Sequence, residues 1–381
     1  MPSPSCDHCQ TPLRNPYHPV GTRRGMQVFT CERCGLIQSV STVAYESHPA
    51  PSMSCDADRA SIKYTKDIIV DAHSRLLEEH AGLATARDSA DIGSNRGSML
   101  ARLLAVPGMR TVLAVESDAA VTSAYPADPR LTTIARRVEE LDLGEARFDL
   151  VYCAHTLEHL RSARVFLTAL RRALKPGGRA FLAVPNISVF PSDGFVELFI
   201  DTHTFHFSPG SFRLMLAEAG LAVLFENTVN PYSEIEVVVT PAPVSARSTD
   251  NENREAETAR RFMEHYRMAL AENRAVLRCR VEAMRRDLAG TPAVFWGGGR
   301  IFDALVKIGG LDASLVSCLV DKFLHRYLSE VHGLPVCAPG AFGARTANTP
   351  VVICSDGYQD EIRQEAGQHG FTRIYHYTDF L

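Results

Sequence analysis

The sequence has no apolar run approaching the roughly twenty residues that a membrane-spanning helix needs. Its start, Met1-Pro2-Ser3-Pro4-Ser5-Cys6, lacks the hydrophobic core of a secretory signal, so a cytoplasmic chain is expected. There is no excess of either charge: 40 basic against 44 acidic residues give a formal net charge of −4. That balance leaves no broad electrostatic footprint for nucleic acid or a membrane surface, and a small-molecule partner is the better expectation. In a reducing compartment the ten cysteines are thiols or metal ligands rather than disulfides.

One absence is local. The stretch Ala90-Asp91-Ile92-Gly93-Ser94-Asn95-Arg96-Gly97-Ser98 reads as a strand end, a glycine loop and a helix start, but its spacing is Gly-x-x-x-Gly. The middle glycine of the dinucleotide fingerprint, which lets a pyrophosphate sit on the helix end, is missing. A ligand without a pyrophosphate is therefore expected. The next apolar strand, Thr111 to Val115, ends on Glu116, about twenty residues past the loop, where a doubly wound sheet sets an acid against ribose hydroxyls. Against a central parallel strand stands the polar run Arg87-Asp88-Ser89, where a continuous apolar run is usual.

At this point the residues resemble the class I S-adenosylmethionine-dependent methyltransferases, whose first motif has the form Asp-x-Gly-x-x-x-Gly. The resemblance implies cofactor binding by Asp91, Gly93, Asn95, Gly97 and Glu116, with His155 near the methionine end. Strands are expected at 111–116, 131–135, 148–153 and 179–184. The helix between the last two should stop at Leu174-Lys175-Pro176-Gly177-Gly178. Leu221 to Phe225 and Glu234 to Val239 form a hairpin, so the last strand is antiparallel, which the family also implies. Glu158-His159 could suggest a metal pair, but adjacent helical residues point about 100° apart, and packing or capping is favoured.

At 381 residues the chain is long enough for two or three domains, and 45% apolar with 22% charged residues is the composition of a globular protein. Before the glycine loop, Cys6-x-x-Cys9 and Cys31-x-x-Cys34 are two knuckles able to complete an all-sulfur tetrahedron, with Met26 to Thr30 as the short strand of a zinc ribbon. Such a site, with Cys6, Cys9, Cys31 and Cys34 binding Zn2+, has no open position and is structural. The other cysteines read as plain thiols. After the hairpin, Arg254 to Leu288 is a helix with an apolar stripe at Leu277, Val281, Met284 and Leu288. A second strand–glycine–helix unit follows at Ala293 to Phe302, its next strand ending on Asp321. Phe302 replaces the third glycine of the fingerprint, so a packing or sugar-nucleotide role is favoured over NAD.

Between the fifth strand and the helix beginning near Ser211 lies an insertion, Asn186 to Pro209, at the sheet's carboxyl edge. Its histidines, His203 and His206, with Asp201 nearby, can supply a base near neutral pH. The whole order of parts is similar to that of sugar C-methyltransferases acting on nucleotide-linked 4-keto sugars in deoxysugar biosynthesis. That resemblance implies an α/β chain: a zinc-binding module and linker (1–58), a Rossmann-like methyltransferase core (59–245), a connecting helix (246–289) and a second Rossmann-like domain (290–381). In that family a Glu-His-x-x-Tyr-Phe-Ser-like stretch carries the acid–base work. Here it is Thr202-His203-Thr204-Phe205-His206-Phe207-Ser208, with the histidine kept as His203, glutamate replaced by Thr202 and tyrosine by His206. The acceptor is then a nucleotide sugar, methylated at carbon or, alternatively, at oxygen or nitrogen. A third alternative is an inactive zinc-ribbon binding protein.

Overall fold

A computed structural model describes residues 4–19, 25–41, 68–189, 194–199, 202–244, 248–326, 328–341 and 348–381. The linker expected over Tyr45 to Asp58, Cys55, the start of the helix expected from Ser61, and Asp201 lie outside the described residues. The chain forms two compact units. One comprises Met1–Ala50, Lys66–Phe190 and Glu197–His265, and the other Pro51–Thr65, Pro191–Val196 and Tyr266–Leu381.

The first unit opens with two antiparallel strands, β1 (Met26–Thr30) and β2 (Ile37–Ser41), between which the second cysteine knuckle makes the turn. A helix, α1 (68–76), leads to the core. There β3 (Asp88–Ile92), α2 (Ser98–Ala105), β4 (Thr111–Glu116), the short α3 (Ala119–Thr122), β5 (Leu131–Ala135), β6 (Phe148–Ala154), α4 (Ala163–Ala173) and β7 (Leu174–Pro185) alternate. The two-residue β8 (Phe205–His206), α5 (Pro209–Glu218), β9 (Leu221–Asn227) and β10 (Glu234–Pro241) complete it. The seven-stranded sheet runs β5-β4-β3-β6-β7-β10-β9. β10 is antiparallel to both neighbours, as expected from the hairpin. The Asn230 side chain shapes that hairpin by accepting from the Tyr232 and Glu234 N–H groups at 3.1 Å each. β3 and β6 are adjacent where the strand order reverses, which puts the loops after both strands over one crevice.

Two details answer the sequence. The polar start of β3 is stitched down by ions. Asp88 meets Lys175 Nζ at 2.6 Å, and the Arg87 and Asp88 N–H groups donate to Asp149 at 3.0 and 2.9 Å. Helix α4 stops at Ala173, but β7 begins at once at Leu174 rather than at residue 179. The pairing jumps from Phe148 opposite Leu174 to Leu150 opposite Arg179, so Lys175-Pro176-Gly177-Gly178 is a bulge inside the strand. The proline and glycines that read as a stop signal serve that bulge, with Gly177 at φ 77°.

The second unit takes the latter part of α6 (Thr249–Asp287), then β11 (Ala293–Trp296), α7 (Arg300–Lys307), β12 (Val316–Val320), β13 (Glu330–Val331), β14 (Leu334–Cys337), β15 (Val351–Ile353), α8 (Gln359–Gln368) and β16 (Ile374–His376). Its six-stranded sheet is ordered β13-β14-β12-β11-β15-β16, parallel except for β13. This is a second Rossmann-like arrangement. Leu277, Val281, Met284 and Leu288 are buried with Phe295 and Phe302 in its core, as the helical stripe required.

Candidate active site

The glycine loop is tied to the neighbouring strand: the Gly93 and Ser94 N–H groups donate to the Val115 carbonyl at 2.8 and 3.1 Å. Gly93 and Gly97 sit at φ 74° and 78°, where a side chain is strained. A Cβ at Gly93 would lie 1.9 Å from Thr156 Oγ1, so this glycine makes room for the turn after β6 rather than for a ligand directly. Glu116 Oε2 accepts from the Asn95 N–H at 3.0 Å, and its other oxygen from the Asp118 N–H at 3.1 Å. The tip of the loop is further held by Tyr125, whose hydroxyl lies 2.8 Å from Ser94 Oγ.

Asp91 is the exceptional member. It is 1% exposed, and neither carboxylate oxygen has a hydrogen-bond partner among the described residues. Burial, with the nearby Glu116 charge adding to it, pushes its carboxyl up to about 8. A buried, unsatisfied carboxylate costs free energy that a cationic ligand would recover.

The turn after β6 carries the second half of the site. His155 holds φ 50°, a left-handed backbone unusual for histidine, and its N–H donates to the Ala183 carbonyl at 2.9 Å. Its Nε2 lies 2.7 Å from Glu234 Oε1 and its Nδ1 3.5 Å from Glu158 Oε1. Burial favours the neutral ring, but the two carboxylates outweigh it and raise the imidazole to about 10. Behind Glu234 stands His73, fully buried on α1, with Nε2 at 3.0 Å from Glu234 Oε2 and Nδ1 at 2.8 Å from the Tyr152 hydroxyl. Neither His73 nor Glu234 was singled out from the sequence. Glu234 and Glu236, two carboxylates on one face of an otherwise apolar strand, were the available signal.

Glu158 and His159 lie in a 3-10 turn, not an α-helix, and they hold the insertion in place. The Glu158 carbonyl accepts from the Thr204 N–H at 2.7 Å, and His159 Nδ1 donates to the Thr202 carbonyl at 2.8 Å. This brings His203 to the turn: its ring meets His159 edge-on at 4.7 Å between centroids. The structure thus collects the two sequence-derived groups on one sheet edge, the glycine loop with Asp91 and Glu116, and the turn with His155 and His203.

His206, expected with His203 in catalysis or substrate contact, lies in a strand, its ring centroid 6.3 Å from that of His203. It belongs to β8, pairs with Ile37 of β2, and is 6% exposed. Its Nε2 lies 2.6 Å from Ser39 Oγ, and its ring packs edge-on to Phe199 at 4.7 Å. Burial, with the neighbouring His203, pulls its imidazole down to about 3. Its pairing with β2 makes it part of a sheet joining the N-terminal strands to the insertion.

In that N-terminal module Cys6, Cys9, Cys31 and Cys34 are all buried, and their sulfurs lie within 4.8 Å of one another. Cys6 and Cys34 Sγ are 3.6 Å apart, and Cys9 and Cys31 Sγ 3.4 Å. Zinc with Zn–S bonds of about 2.3 Å requires sulfur–sulfur edges near 3.8 Å, so the four thiols fit a structural ion.

Residues 63–225 match a family described as the methyltransferase domain. Over those residues the chain carries a methyltransferase domain. The chain is 29% identical over 177 residues to the ubiquinone biosynthesis O-methyltransferase of Pseudomonas aeruginosa strain LESB58, covering 42% of this chain and 75% of the relative. Among solved structures it is similar to the Burkholderia thailandensis 1,6-didemethyltoxoflavin-N1-methyltransferase, with a TM-score of 0.38, 18% identity, and coverage of 60% of this chain and 100% of that one. It is also similar to an S-adenosylmethionine-dependent methyltransferase from Mesorhizobium loti, with a TM-score of 0.35, 16% identity, and coverage of 40% and 90%. The curated relative is named for O-methylation, not for sugar C-methylation. Among the described residues no helix is long and apolar enough to cross a membrane.

Proposed function

We propose that this methyltransferase methylates a nucleotide-linked sugar at a carbon beside a keto group, with His203 as general base. Asp91, Gly93, Asn95, Gly97 and Glu116 form its cofactor site. The observation that carries this reading is the meeting of His203 with the turn after β6, next to a glycine loop whose buried Asp91 has no hydrogen-bond partner among the described residues. The carboxylate donor set fits S-adenosylmethionine, whose sulfonium and ammonium are cations. When bound, that cofactor supplies a methyl group already activated for transfer. The work left to the chain is alignment and removal of one proton.

Among the four histidines around the turn, His203 suits the base. His155 is held charged by two carboxylates, His206 is locked to Ser39, and His159 spends its Nδ1 proton on Thr202. The cysteine module binds a structural zinc and, through β2 and β8, braces the insertion that carries His203. A second reading has the acceptor as a hydroxyl, favoured by the O-methyltransferase name of the curated relative, with the same base.

The test is incubation with methyl-labelled S-adenosylmethionine and a panel of 4-keto and reduced nucleotide sugars, the methylated atom being located by NMR. His203→Ala should leave S-adenosylhomocysteine affinity unchanged and cut turnover by about 10²–10⁴, the worth of a general base. Methyl on oxygen selects the second reading. Transfer only to an unrelated metabolite removes the sugar altogether, and failure to bind the cofactor leaves an inactive zinc-ribbon protein.

A further inference from the structure

We propose that His155 donates a hydrogen bond to the anion formed when the acceptor loses its proton, and that Glu234, braced by His73, is the positioning residue that holds it there. The inference rests on the methyl-transfer reading above and assigns to this chain the donor which that chemistry needs.

The geometry is that of a clamp. Glu234 is 1% exposed and splits its carboxylate, one oxygen 2.7 Å from His155 Nε2 and the other 3.0 Å from His73 Nε2. His73 is fixed at its far side by the Tyr152 hydroxyl at 2.8 Å, and its Nε2 also lies 3.3 Å from Glu236, which takes 2.6 Å from Asn227 Nδ2. The chain Tyr152–His73–Glu234–His155 therefore runs from the buried sheet to its carboxyl edge. Only its last member reaches solvent, with 31% of the His155 side chain exposed.

The two ring nitrogens of His155 differ. Nε2 is committed to Glu234 at a full hydrogen-bond distance. Nδ1 lies 3.5 Å from Glu158, at the limit of such a bond, so its N–H is left to an oxygen that approaches in the plane of the ring. The left-handed backbone at His155 is the kind of strain that persists where the surroundings over-determine it. The titratable groups against the ring are Glu158 of its own turn and Glu234 of β10, with His73 and Glu236 behind Glu234.

The step balances. The acceptor's C–H (or O–H) bond breaks, its proton goes to His203, and the electron pair is delocalised on an oxygen that His155 stabilises. That pair then forms the bond to the methyl group as the sulfur–methyl bond breaks, leaving a neutral thioether. A preformed donor aimed at developing charge is worth about 10²–10³ in turnover.

The experiment uses the full chain. In protein labelled with 15N-histidine, with His155→Gln assigning the signal, both His155 nitrogens should remain protonated from pH 6.5 to 8.5, and Glu234→Gln should bring its titration into that range. With the nucleotide-sugar panel, Glu234→Gln should lower kcat by about 10–10²-fold, with acceptor KM and S-adenosylhomocysteine affinity within about threefold, and Glu234→Asp should recover part of the loss. His155→Gln should show the same split between kcat and acceptor KM. A neutral His155 in the wild type overturns the clamp, as does a Glu234→Gln variant that changes only Tm. Absence of transfer by the wild type to every panel member instead overturns the proposed acceptor, while the spectrum still decides the clamp.

Discussion

The chain contains the same local pattern twice: strand, glycine loop, helix, strand, acid. The two copies differ most at the residue two before the first glycine. In the first unit it is Asp91, buried with both oxygens unsatisfied. In the second it is Phe295, buried against Phe302 at 5.8 Å between ring centroids. Burying a phenylalanine stabilises its unit by about 2–3 kcal/mol, whereas burying an unpaired carboxylate costs free energy and raises its pKa instead. The second loop is also filled from its own chain: a Cβ at Gly298 would lie 2.5 Å from Leu324 Cδ1. The same pattern thus makes a packing corner in one unit and, in the other, a loop with a buried acid whose demand is met by a proton or a ligand.

The largest expected effect comes from damaging the first unit while leaving the second alone. Chelation or Cys31→Ser should release one zinc per chain and, because structural zinc contributes on the order of 10 kcal/mol of binding free energy coupled to folding, melt the β1-β2-β8 sheet. Calorimetry should show the first unit unfolding early, with the second unit's transition in place. Zinc-replete protein that contains no zinc by elemental analysis, or a Cys31→Ser protein with an unaltered melt, would show that the four thiols stand without an ion.

A smaller effect tests Asp91 itself. Its carboxyl is raised from its ordinary 3.8 to about 8, so the folded state binds the proton more tightly than the unfolded state. Stability from this residue is therefore complete below about pH 4 and is lost as pH rises toward 8. Between pH 5 and 7 the loss should be about 3 kcal/mol, from about 1.4 kcal/mol per unit. Asp91→Asn should abolish that slope in urea melts of the ligand-free protein and weaken S-adenosylhomocysteine binding at pH 7. An unchanged slope would mean that the carboxylate is satisfied in solution, and the contrast with Phe295 would lose its basis.

Much of this was legible in the sequence because it is periodic or local. The strands at 111–116 and 131–135, the hairpin ending in an antiparallel strand, the cysteine knuckles and the stripe from Leu277 to Leu288 follow from spacing alone. The bulge at Lys175–Gly178 was not, since proline and glycine end a helix and shape a strand with the same residues. Nor was the clamp on His155. Its members lie 79 residues apart in sequence, between His155 and Glu234, and only sheet register brings them together. The setting of His206 was out of reach for a related reason: spacing shows it three residues from His203, but not that β8 pairs it with Ile37 of β2 and sets it against Ser39.

The smallest effects come from the matched acids that end β4 and β12. Glu116 accepts from the Asn95 N–H of its loop and the Asp118 N–H after it. Asp321 accepts from the Gly298 N–H at 2.9 Å and from the Phe323 and Leu324 N–H groups, both at 2.9 Å. By geometry alone the two look equivalent, so mutation has to separate them. If the first loop is the cofactor site, Glu116→Ala should weaken S-adenosylhomocysteine binding by about 1–3 kcal/mol, the scale of a lost charge-assisted bond, a larger effect than its loss of stability. Asp321→Ala should do the reverse. Three backbone donors lose their acceptor, the second unit's melting transition falls by the equivalent of about 1–2 kcal/mol, and cofactor affinity stays within twofold. Titration calorimetry and denaturant melts on the same two variants decide the matter. Equal behaviour of the pair in both assays would mean that the acid at the strand end does not distinguish the loops, leaving Asp91 alone to do so.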